Sequence, residues 1–288
     1  MSSPPPDLKA LRRSLDEIDD RLQDLLIDRT AIIARVAASK RGGDQPAFQP
    51  AREAEIIRRL VERHHGTLPV ATLVRMWREM LAATVQLQSP FSVAVCAPAG
   101  RQGYWDLARD HYGSYTPMTP FNAANQVLRV VAQKEISVGV LPMPESSEAD
   151  PWWPQLVSES EDAPRVIARL PFGASGNGRN PGDEALVIGW GEQQASGLDR
   201  TLFAMECSPE ASRAGIVDRL AAAGLACTLF VSCDSGAAVH LIELDGFVPR
   251  SDARLTEFRA QLDKTLERLF PLGGYAVPLP ASAFSARN

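Results

Sequence analysis

Residues 8–40 read LKALRRSLDEIDDRLQDLLIDRTAIIARVAASK, and this stretch decides the fold of the first part of the chain. Its large aliphatic residues recur at alternating spacings of three and four, the heptad rhythm of a helix whose apolar seam packs against another helix. A single long helix is therefore predicted, with Asp7 as its N-cap and an end near Gly42 and Gly43. The apolar seam consists of Leu8, Leu11, Leu15, Ile18, Leu22, Leu25, Ile32 and Val36.

Arg29 interrupts this seam at a position where the rhythm calls for an apolar residue. A guanidinium on a buried face must be paired, because an isolated buried charge costs several kcal/mol or more. One interpretation is an arginine that pairs with a core glutamate or extends outward to solvent. However, Lys40 follows Arg29 by eleven residues. At about 100° of rotation per residue, its side chain returns to within about 20° of the face of Arg29. Two cations on one inward face favour a pocket for an anion.

Arg12 lies seventeen residues before Arg29 in the same predicted helix. That spacing corresponds to about 25 Å along the axis and about 100° around it. One small molecule cannot contact both side chains from a single straight helix. If Arg12 serves the same kind of site, we expect it to do so in the pocket of a partner subunit.

The composition is that of a globular protein with room for two or three domains. The chain has 288 residues, of which 45% are hydrophobic and 23% charged. A net charge of −5 gives no general attraction to nucleic acid or to an anionic membrane. The sequence has no run of eighteen apolar residues, and its start, MSSPPPD, lacks a signal region, so a cytoplasmic protein is expected.

The cysteines and histidines give no metal-binding pattern. No CxxC pair occurs among the four cysteines, and no HExxH pattern occurs among the four histidines. We expect no metal site and buried or partly buried thiols. The cysteines are Cys96, Cys207, Cys227 and Cys233.

Two further helices are predicted, from about Pro50 to His65 and from Pro69 to about Gln88. The buried stripe of the second helix is predicted to be Ile56, Ile57, Leu60 and Val61, and that of the third Val70, Leu73, Trp77, Met80 and Leu81. Thr84 and Gln88 continue the stripe of the third helix as polar residues, and Arg52 and Glu53 precede that of the second. Polar groups on three inward faces favour a polar cavity between the helices.

This set of residues resembles the all-helical class of chorismate mutase, over about residues 7–90. The resemblance is carried by Leu11-Arg12, Asp19, Leu25-Leu26, Asp28-Arg29, Ser39-Lys40, Arg52-Glu53, Thr84 and Gln88. It implies an isomerase in which three helices intertwine with those of a second chain. The resulting homodimer holds two enclosed sites, and the first arginine of each chain reaches the partner's site.

The resemblance also implies a role for each matching residue. Arg12 of one chain and Arg29 and Arg52 of the other would hold the two carboxylates of chorismate. Lys40 and Gln88 would donate to its ether oxygen, Glu53 would accept from the ring hydroxyl, and Thr84 would keep the hydroxyl that the family often has as serine. Gln49 departs from the pattern, since some members carry an acid there. No cofactor or metal is implied.

The rearrangement of chorismate to prephenate suits these residue types, because it needs no nucleophile or proton shuttle. Positioning of the reactive conformer and fixed positive charge at the ether oxygen are sufficient help. The rival interpretation is a non-catalytic regulatory protein that has kept the helical dimer. The complete residue set favours the enzyme.

From about Pro90 the pattern changes to short strands that alternate with helices. A strand (92–96), helices (104–112 and 122–133) and a strand (136–141) resemble the first lobe of prephenate dehydratase, with VAVCAPAG and GVLPMPES in place of its GPEG turn and GVVPIENS motif. The second lobe is nearly absent, and Asp183-Glu184-Ala185 replaces the Thr-Arg-Phe motif with its catalytic threonine. The resemblance therefore implies a lobe without dehydratase activity. GASGNGRNPGD, residues 173–183, is predicted to be a linker.

The last part of the chain is predicted to have a βαββαβ order that resembles the ACT regulatory domain. Its predicted elements are strands at 202–206, 226–232, 238–244 and 275–278, with helices at 209–223 and 252–270. The effector motifs of that family are missing near Ser212 to Val217 and near Val231 to Asp234, so a structural or dimer-bracing role is favoured. The predicted regions are 7–90 (mutase), 91–198 (truncated dehydratase-like α/β) and 199–280 (α+β, ACT-like).

Overall fold

The structure is a computed structural model that describes residues 7–40, 47–146, 148, 150–160, 162–180, 182–208, 210–233, 238–262 and 265–285. Its contacts divide the chain into two compact units. The first consists of residues 1–47 and 84–90, and the second of residues 48–83 and 91–288. The third helix is shared, because its last residues belong to the first unit.

The first unit contains the long N-terminal helix α1, Leu8–Lys40. Asp7 caps it as predicted, since its carboxylate accepts a hydrogen bond from the backbone N–H of Lys9 at 3.1 Å. The apolar seam of α1 is exposed along its whole length, from 42% at Ile18 and Val36 to 64% at Leu25. The predicted stop at Gly42 and Gly43 lies outside the described residues.

Two helices follow, α2 (Pro50–Arg63) and α3 (Val70–Gln86). Both confirm the predicted helices, although α2 ends two residues earlier and Gln88 lies just beyond α3. The buried face of α3 is turned from the predicted one, because Val74 and Arg78 are buried while Leu73, Trp77 and Met80 are only partly so. The reason is a shared apolar layer in the second unit: Ala54, Ile57, Val61, Val74 and Leu81 pack with Phe172 and Ala276.

The rest of the second unit is built on one sheet. Its helices are α4 (Gly103–Tyr112), α5 (Ala124–Ala132), α6 (Arg213–Ala222) and α7 (Ala253–Leu262). Its strands are β1 (Val93–Cys96), β2 (Met118–Phe121), β3 (Val138–Pro142), β4 (Arg165–Leu170), β5 (Ala185–Gly189), β6 (Asp199–Cys207), β7 (Cys227–Cys233), β8 (Ala238–Asp245) and β9 (Leu266–Ala276). Short 3-10 helices lie at Trp153–Leu156 and Ala281–Phe284.

The nine strands lie in the order β2-β1-β3-β5-β4-β9-β6-β8-β7. The strands β2, β1 and β3 are parallel, whereas β3, β5 and β4 are antiparallel neighbours. The strands β9, β6, β8 and β7 form a second antiparallel group. The two groups join through the parallel pair of β4 and β9, where Val166 is opposite Gly273. The predicted boundary at residues 198 and 199 therefore falls inside a continuous sheet.

Gly273 is required at this junction for two reasons. Its φ of +101° lies in the left-handed region, and a Cβ there would lie 2.2 Å from the carbonyl oxygen of Val166. The backbones of β4 and β9 thus approach too closely for any side chain.

The predicted elements of this part are confirmed in order but not in every extent. The strands β2, β4 and β5 were not predicted. The predicted helix over residues 252–270 is confirmed only in its first part, because α7 ends at Leu262 and β9 begins at Leu266. Leu262, Leu266, Leu269 and Phe270 have helical spacing, but pairing with β6 places Leu269 and Phe270 in the cores on opposite faces of the sheet.

The predicted linker, residues 173–183, has no helix or strand in its described part, yet it is fixed in place. The backbone N–H, Nε and Nη2 of Arg179 each donate to the carboxylate of Asp106 on α4 at 2.9 Å. This ion pair lowers the pKa of the Asp106 carboxyl group. The segment is therefore an ordered connection along α4.

Candidate functional site

Three of the predicted site residues lie on α1. Arg12 is exposed, and Arg29 is partly buried, which lowers the pKa of its guanidinium without removing its charge at neutral pH. Lys40 is the last residue of α1, and its side chain lies outside the described part. Seventeen residues of unbroken helix separate the two arginines by about 25 Å, so they cannot contact the same small molecule from one chain.

Thr84 and Gln88 lie at the C-terminal end of α3. The side chain of Thr84 is buried and that of Gln88 partly so. The Gln88 amide donates from Nε2 to the backbone carbonyl of Thr84 at 2.9 Å, so the structure brings these two residues together. Because an amide group carries two N–H donors, this bond leaves one for a ligand.

Arg52 and Glu53 are neighbours in the first turn of α2 but lie in opposite environments. Arg52 is exposed, and its Nη1 lies 2.8 Å from Oε2 of Glu55. Glu53 is nearly buried, and its Oε2 lies 3.0 Å from Nη1 of Arg78 on α3. Gln49 precedes α2 as its N-cap residue and makes no side-chain capping bond. The site residues of α2 therefore do not point in one direction.

The environment of Glu53 changes its protonation. Burial raises the pKa of the Glu53 carboxyl group to about 7, although Arg78 opposes that shift. Burial also raises the pKa of Tyr112, whose hydroxyl has no hydrogen-bond partner in the described part of the chain. The pKa of His111 is lowered well below 6.5 by burial and by Arg78, so its ring is neutral.

Arg78 is a buried residue beside Glu53 that the sequence analysis does not identify. Only 4% of it is exposed. Its guanidinium lies 4.8 Å from the ring centroid of Phe172, the second residue after β4. Arg58 of α2 lies over the same ring at 5.8 Å and donates to the carbonyl oxygens of Ser196, Leu198 and Val277. Within the second unit, arginines thus connect α2 and α3 to the part of the chain from β1 to β9, which we call the sheet region. The sequence signal was an arginine at the fourth position after Val74 and the third before Leu81.

Other kinds of chemistry find little support in the described residues. Cys96, Cys207 and Cys233 are buried and Cys227 is partly buried, which confirms the predicted thiols. Burial raises the pKa of Cys96 and of Cys207 to about 11, so neither is a thiolate nucleophile at neutral pH. In the part of the chain that the structure describes, no group of three or more His, Cys, Asp or Glu side chains is placed to hold a metal ion. Of the helices that the structure describes, none combines the length and the apolar character needed to span a bilayer.

The residue types of the candidate site are therefore cations, amide and hydroxyl donors, and one carboxylate. Side chains of these types can bind a small anion with two carboxylates and can place positive charge beside an oxygen on which negative charge develops. It carries no activated nucleophile. It suits a reaction that depends on positioning and electrostatic stabilisation.

Comparison with known proteins identifies the class of the N-terminal region. Residues 11–89 match the family model for chorismate mutase type II. This part of the chain is a chorismate mutase type II domain, as the residue pattern predicted.

Curated relatives extend the comparison beyond that segment. The chain is 32% identical over 146 residues to a bifunctional chorismate mutase/prephenate dehydratase from Pseudomonas aeruginosa, and 28% identical over 146 residues to one from Aquifex aeolicus. Each match covers 49% of this chain and 40% of the relative. The chain thus spans well under two thirds of the length of these relatives. The matched stretch is longer than residues 11–89, so it includes other parts of the chain.

Solved structures give a weaker likeness. GqqA, a quorum quenching acylase, has a TM-score of 0.47 at 15% identity and covers 68% of this chain and 98% of its own. A prephenate dehydratase from Streptococcus mutans has a TM-score of 0.46 at 15% identity and covers 65% of this chain and 98% of its own. These values support no conclusion about the activity of the sheet region.

Proposed function

We propose that the chain is a chorismate mutase, an isomerase that converts chorismate to prephenate in aromatic amino acid biosynthesis. The observation that carries this proposal is the match of residues 11–89 to the chorismate mutase type II family. The same segment contains every cation, donor and acceptor that the reaction requires. The reaction is a pericyclic rearrangement that uses no cofactor.

The proposed roles follow the residue types. Arg12 from the partner chain, with Arg29 and Arg52, binds the two carboxylates, because the guanidinium fork matches carboxylate geometry. Lys40 and the free N–H of Gln88 donate to the ether oxygen, and Thr84 supplies a hydroxyl. Glu53, in its ionised form, accepts a hydrogen bond from the ring hydroxyl.

These contacts accelerate the reaction in two ways. Binding of both carboxylates holds the compact conformer in which the new C–C bond can form, and this removes orientational entropy from the barrier. Lys40 and Gln88 stabilise the negative charge that grows on the ether oxygen as the C–O bond breaks. Both effects are stronger in the transition state than in the bound substrate, so they raise kcat.

The exposed seam of α1 supports a homodimer of intertwined helices. Eight large aliphatic side chains, each at least 42% exposed, follow a heptad pattern over 33 residues of helix. Such a stripe is typical of a helix that packs against a second helix. Arg12 and Arg29 of one chain are about 25 Å apart, so in this arrangement they belong to different pockets of the dimer.

The remaining parts of the proposal concern the sheet region. We assign residues 7–90 to the mutase, 91–198 to a truncated dehydratase-like lobe without dehydratase activity, and 199–280 to an ACT-like domain. The order β6-α6-β7-β8-α7-β9 supports the last assignment. Its role is structural or regulatory, and the protein acts in the cytoplasm. Prephenate supplied to the full chain at neutral pH should therefore persist.

A direct assay tests the proposal. The full-length chain should consume chorismate and form prephenate, and Arg29→Met should lower kcat/KM at least about a hundredfold through loss of a carboxylate contact. Arg63→Met changes a cation at the exposed end of α2 and serves as the control. A folded wild-type chain without mutase activity would favour the non-catalytic regulatory protein.

A further inference from the structure

One buried contact links the proposed mutase site to the sheet region within the second unit. It consists of Glu53 on α2, Arg78 on α3 and Phe172 after β4. The carboxylate and the guanidinium are 3.0 Å apart, and the guanidinium faces the Phe172 ring at 4.8 Å. Arg78 is thus held between a residue of the proposed site and a residue outside residues 11–89.

The groups around Glu53 explain why Arg78 matters. On α2 itself, the exposed Arg52 is paired with Glu55. From α4, Tyr112 presents a hydroxyl without a hydrogen-bond partner in the described residues, and His111 has a neutral ring. Arg78 forms the ion pair with the Glu53 carboxylate and opposes the effect of burial on its pKa. Because a buried carboxylate without a partner takes up a proton, Arg78 decides whether Glu53 is ionised.

The position of Arg78 is in turn fixed by the sheet region. A guanidinium over an aromatic face is held by a cation–π interaction, which strengthens where water is excluded. Phe172 is 5% exposed and belongs to the same apolar layer as Ala54, Ile57 and Val74. Removing its ring would take away the aromatic surface over which the Arg78 guanidinium lies.

We infer that Arg78 is a positioning residue of the mutase, that it holds Glu53 in its substrate-binding form, and that Phe172 gives the sheet region control over this contact. The inference rests on the proposed function and adds to it a specific part for the sheet region. A simple alternative is that the ion pair only holds α2 to α3. Buried ion pairs are often no more stabilising than apolar pairs, so the two roles must be separated by experiment.

The test is the pH dependence of kcat/KM for chorismate, measured on the full-length chain. In the wild type, kcat/KM should fall as the pH drops through about 7, because Glu53 becomes protonated. In Arg78→Met the midpoint should move to higher pH by about one unit or more, since the opposing cation is gone. Arg78→Lys should return it close to the wild-type value. A purely structural role would change stability without moving this midpoint.

Two aromatic variants test the contribution of the sheet region. Phe172→Leu removes the ring that faces Arg78 and should move the midpoint upward by less than Arg78→Met does. Phe284→Leu removes a ring from the edge of the same apolar layer and should leave the midpoint unchanged, because the ring that faces Arg78 is that of Phe172. Thermal unfolding of each variant establishes that it is folded. If Arg78→Met does not fold, Phe172→Leu decides the question, because a positioning role moves its midpoint and a purely structural role does not.

The outcomes are separable. A wild-type chain that does not convert chorismate overturns the proposed function and the inference with it. A wild-type chain that converts chorismate, while folded Arg78→Met and Phe172→Leu keep its pH profile, overturns the inference alone. A shift in both variants, with none in Phe284→Leu, supports it.

Discussion

Glu53 and His111 are two titratable side chains whose pKa values are shifted by burial and affected by Arg78. Their contributions to stability change in opposite directions as the pH falls. The pKa of Glu53 is raised in the folded chain, so folding favours its protonated form as the pH falls from about 7. The pKa of His111 is lowered, so folding opposes its protonation. The stability of this cluster at mildly acidic pH is therefore a difference between two contributions.

We predict that His111→Gln flattens the loss of stability on the acid side. The unfolded chain protonates His111 below about pH 6.5, while the folded chain keeps the ring neutral. The contribution of His111 is thus complete above that pH and is lost as the pH falls below it. Urea unfolding between pH 5 and pH 8 should show a smaller slope for His111→Gln than for the wild type.

His65→Gln, at an exposed position, provides the matched comparison for this measurement. An unchanged slope in His111→Gln would contradict the assignment of His111 as a buried neutral ring. Glu53→Gln should have the opposite effect and steepen the acid loss, because it removes the contribution that grows as the pH falls.

At this scale the sequence identified candidates but not their partners. Arg29, Arg52, Glu53, Thr84 and Gln88 could be selected because they are polar residues on or beside apolar helix faces. The pairing of Glu53 with Arg78 could not be predicted, since the two are 25 positions apart and their contact depends on how α2 packs against α3. The exposure of Arg52 could not be predicted either, because it also depends on how α2 packs, and Arg52 is adjacent to Glu53 in sequence.

At the scale of single elements, α1 is the clearest case of a helix whose start and course follow from sequence rhythm. Its cap at Asp7 and its 33 residues follow from local signals alone. β9 is the opposite case, because its first residues have helical spacing and become a strand only through pairing with β6. Local periodicity decides an element only where no tertiary partner competes.

The length of α1 leads to a prediction about subunit exchange. Arg12→Ala and Arg29→Ala should each be nearly inactive, with a loss of about 3 kcal/mol of transition-state stabilisation. A mixed dimer would have both changes in one pocket and neither in the other if Arg12 crosses to the partner. Mixing equal amounts should restore activity to about a quarter of the wild-type value per subunit, since about half the dimers are mixed and each has one intact pocket.

The matched experiment mixes Arg29→Ala with Arg52→Ala. Both of these residues are proposed to serve the pocket of their own chain, so each pocket of the mixed dimer carries a lesion and no activity should return. Exchange must be demonstrated in both mixtures, for example by mass spectrometry of differently labelled chains. Absence of recovery in the first mixture would contradict the crossed position of Arg12.

At the scale of the whole molecule, the second unit is organised by the junction of β4 and β9. The βαββαβ order of its last part could be predicted, because every element except the first residues of β9 has the periodicity of its own type. The fusion of both strand groups into one sheet could not, since it depends on a contact between residues more than a hundred positions apart, Val166 and Gly273. No local signal other than a glycine marks that contact.

We predict that Gly273→Ala is strongly destabilising. The new methyl group would meet the carbonyl oxygen of Val166 in addition to adopting an unfavourable backbone conformation. Gly246→Ala is the matched control, because Gly246 has a similar φ of +94° and open space around its Cβ position. Urea unfolding should give a loss of about 1–2 kcal/mol for Gly246→Ala and a clearly larger loss for Gly273→Ala. Equal losses would mean that the junction tolerates a wider separation of its strands.

The position of β9 also has a consequence for the nascent chain. β4 and β6 are translated well before their common neighbour, which is complete only when residue 276 has left the ribosome. Until then both strands have an unpaired edge, and such edges are the features through which unfinished chains associate with one another. A ribosome that stalls before residue 266 would therefore release a chain that cannot close its sheet and that requires a chaperone to remain soluble.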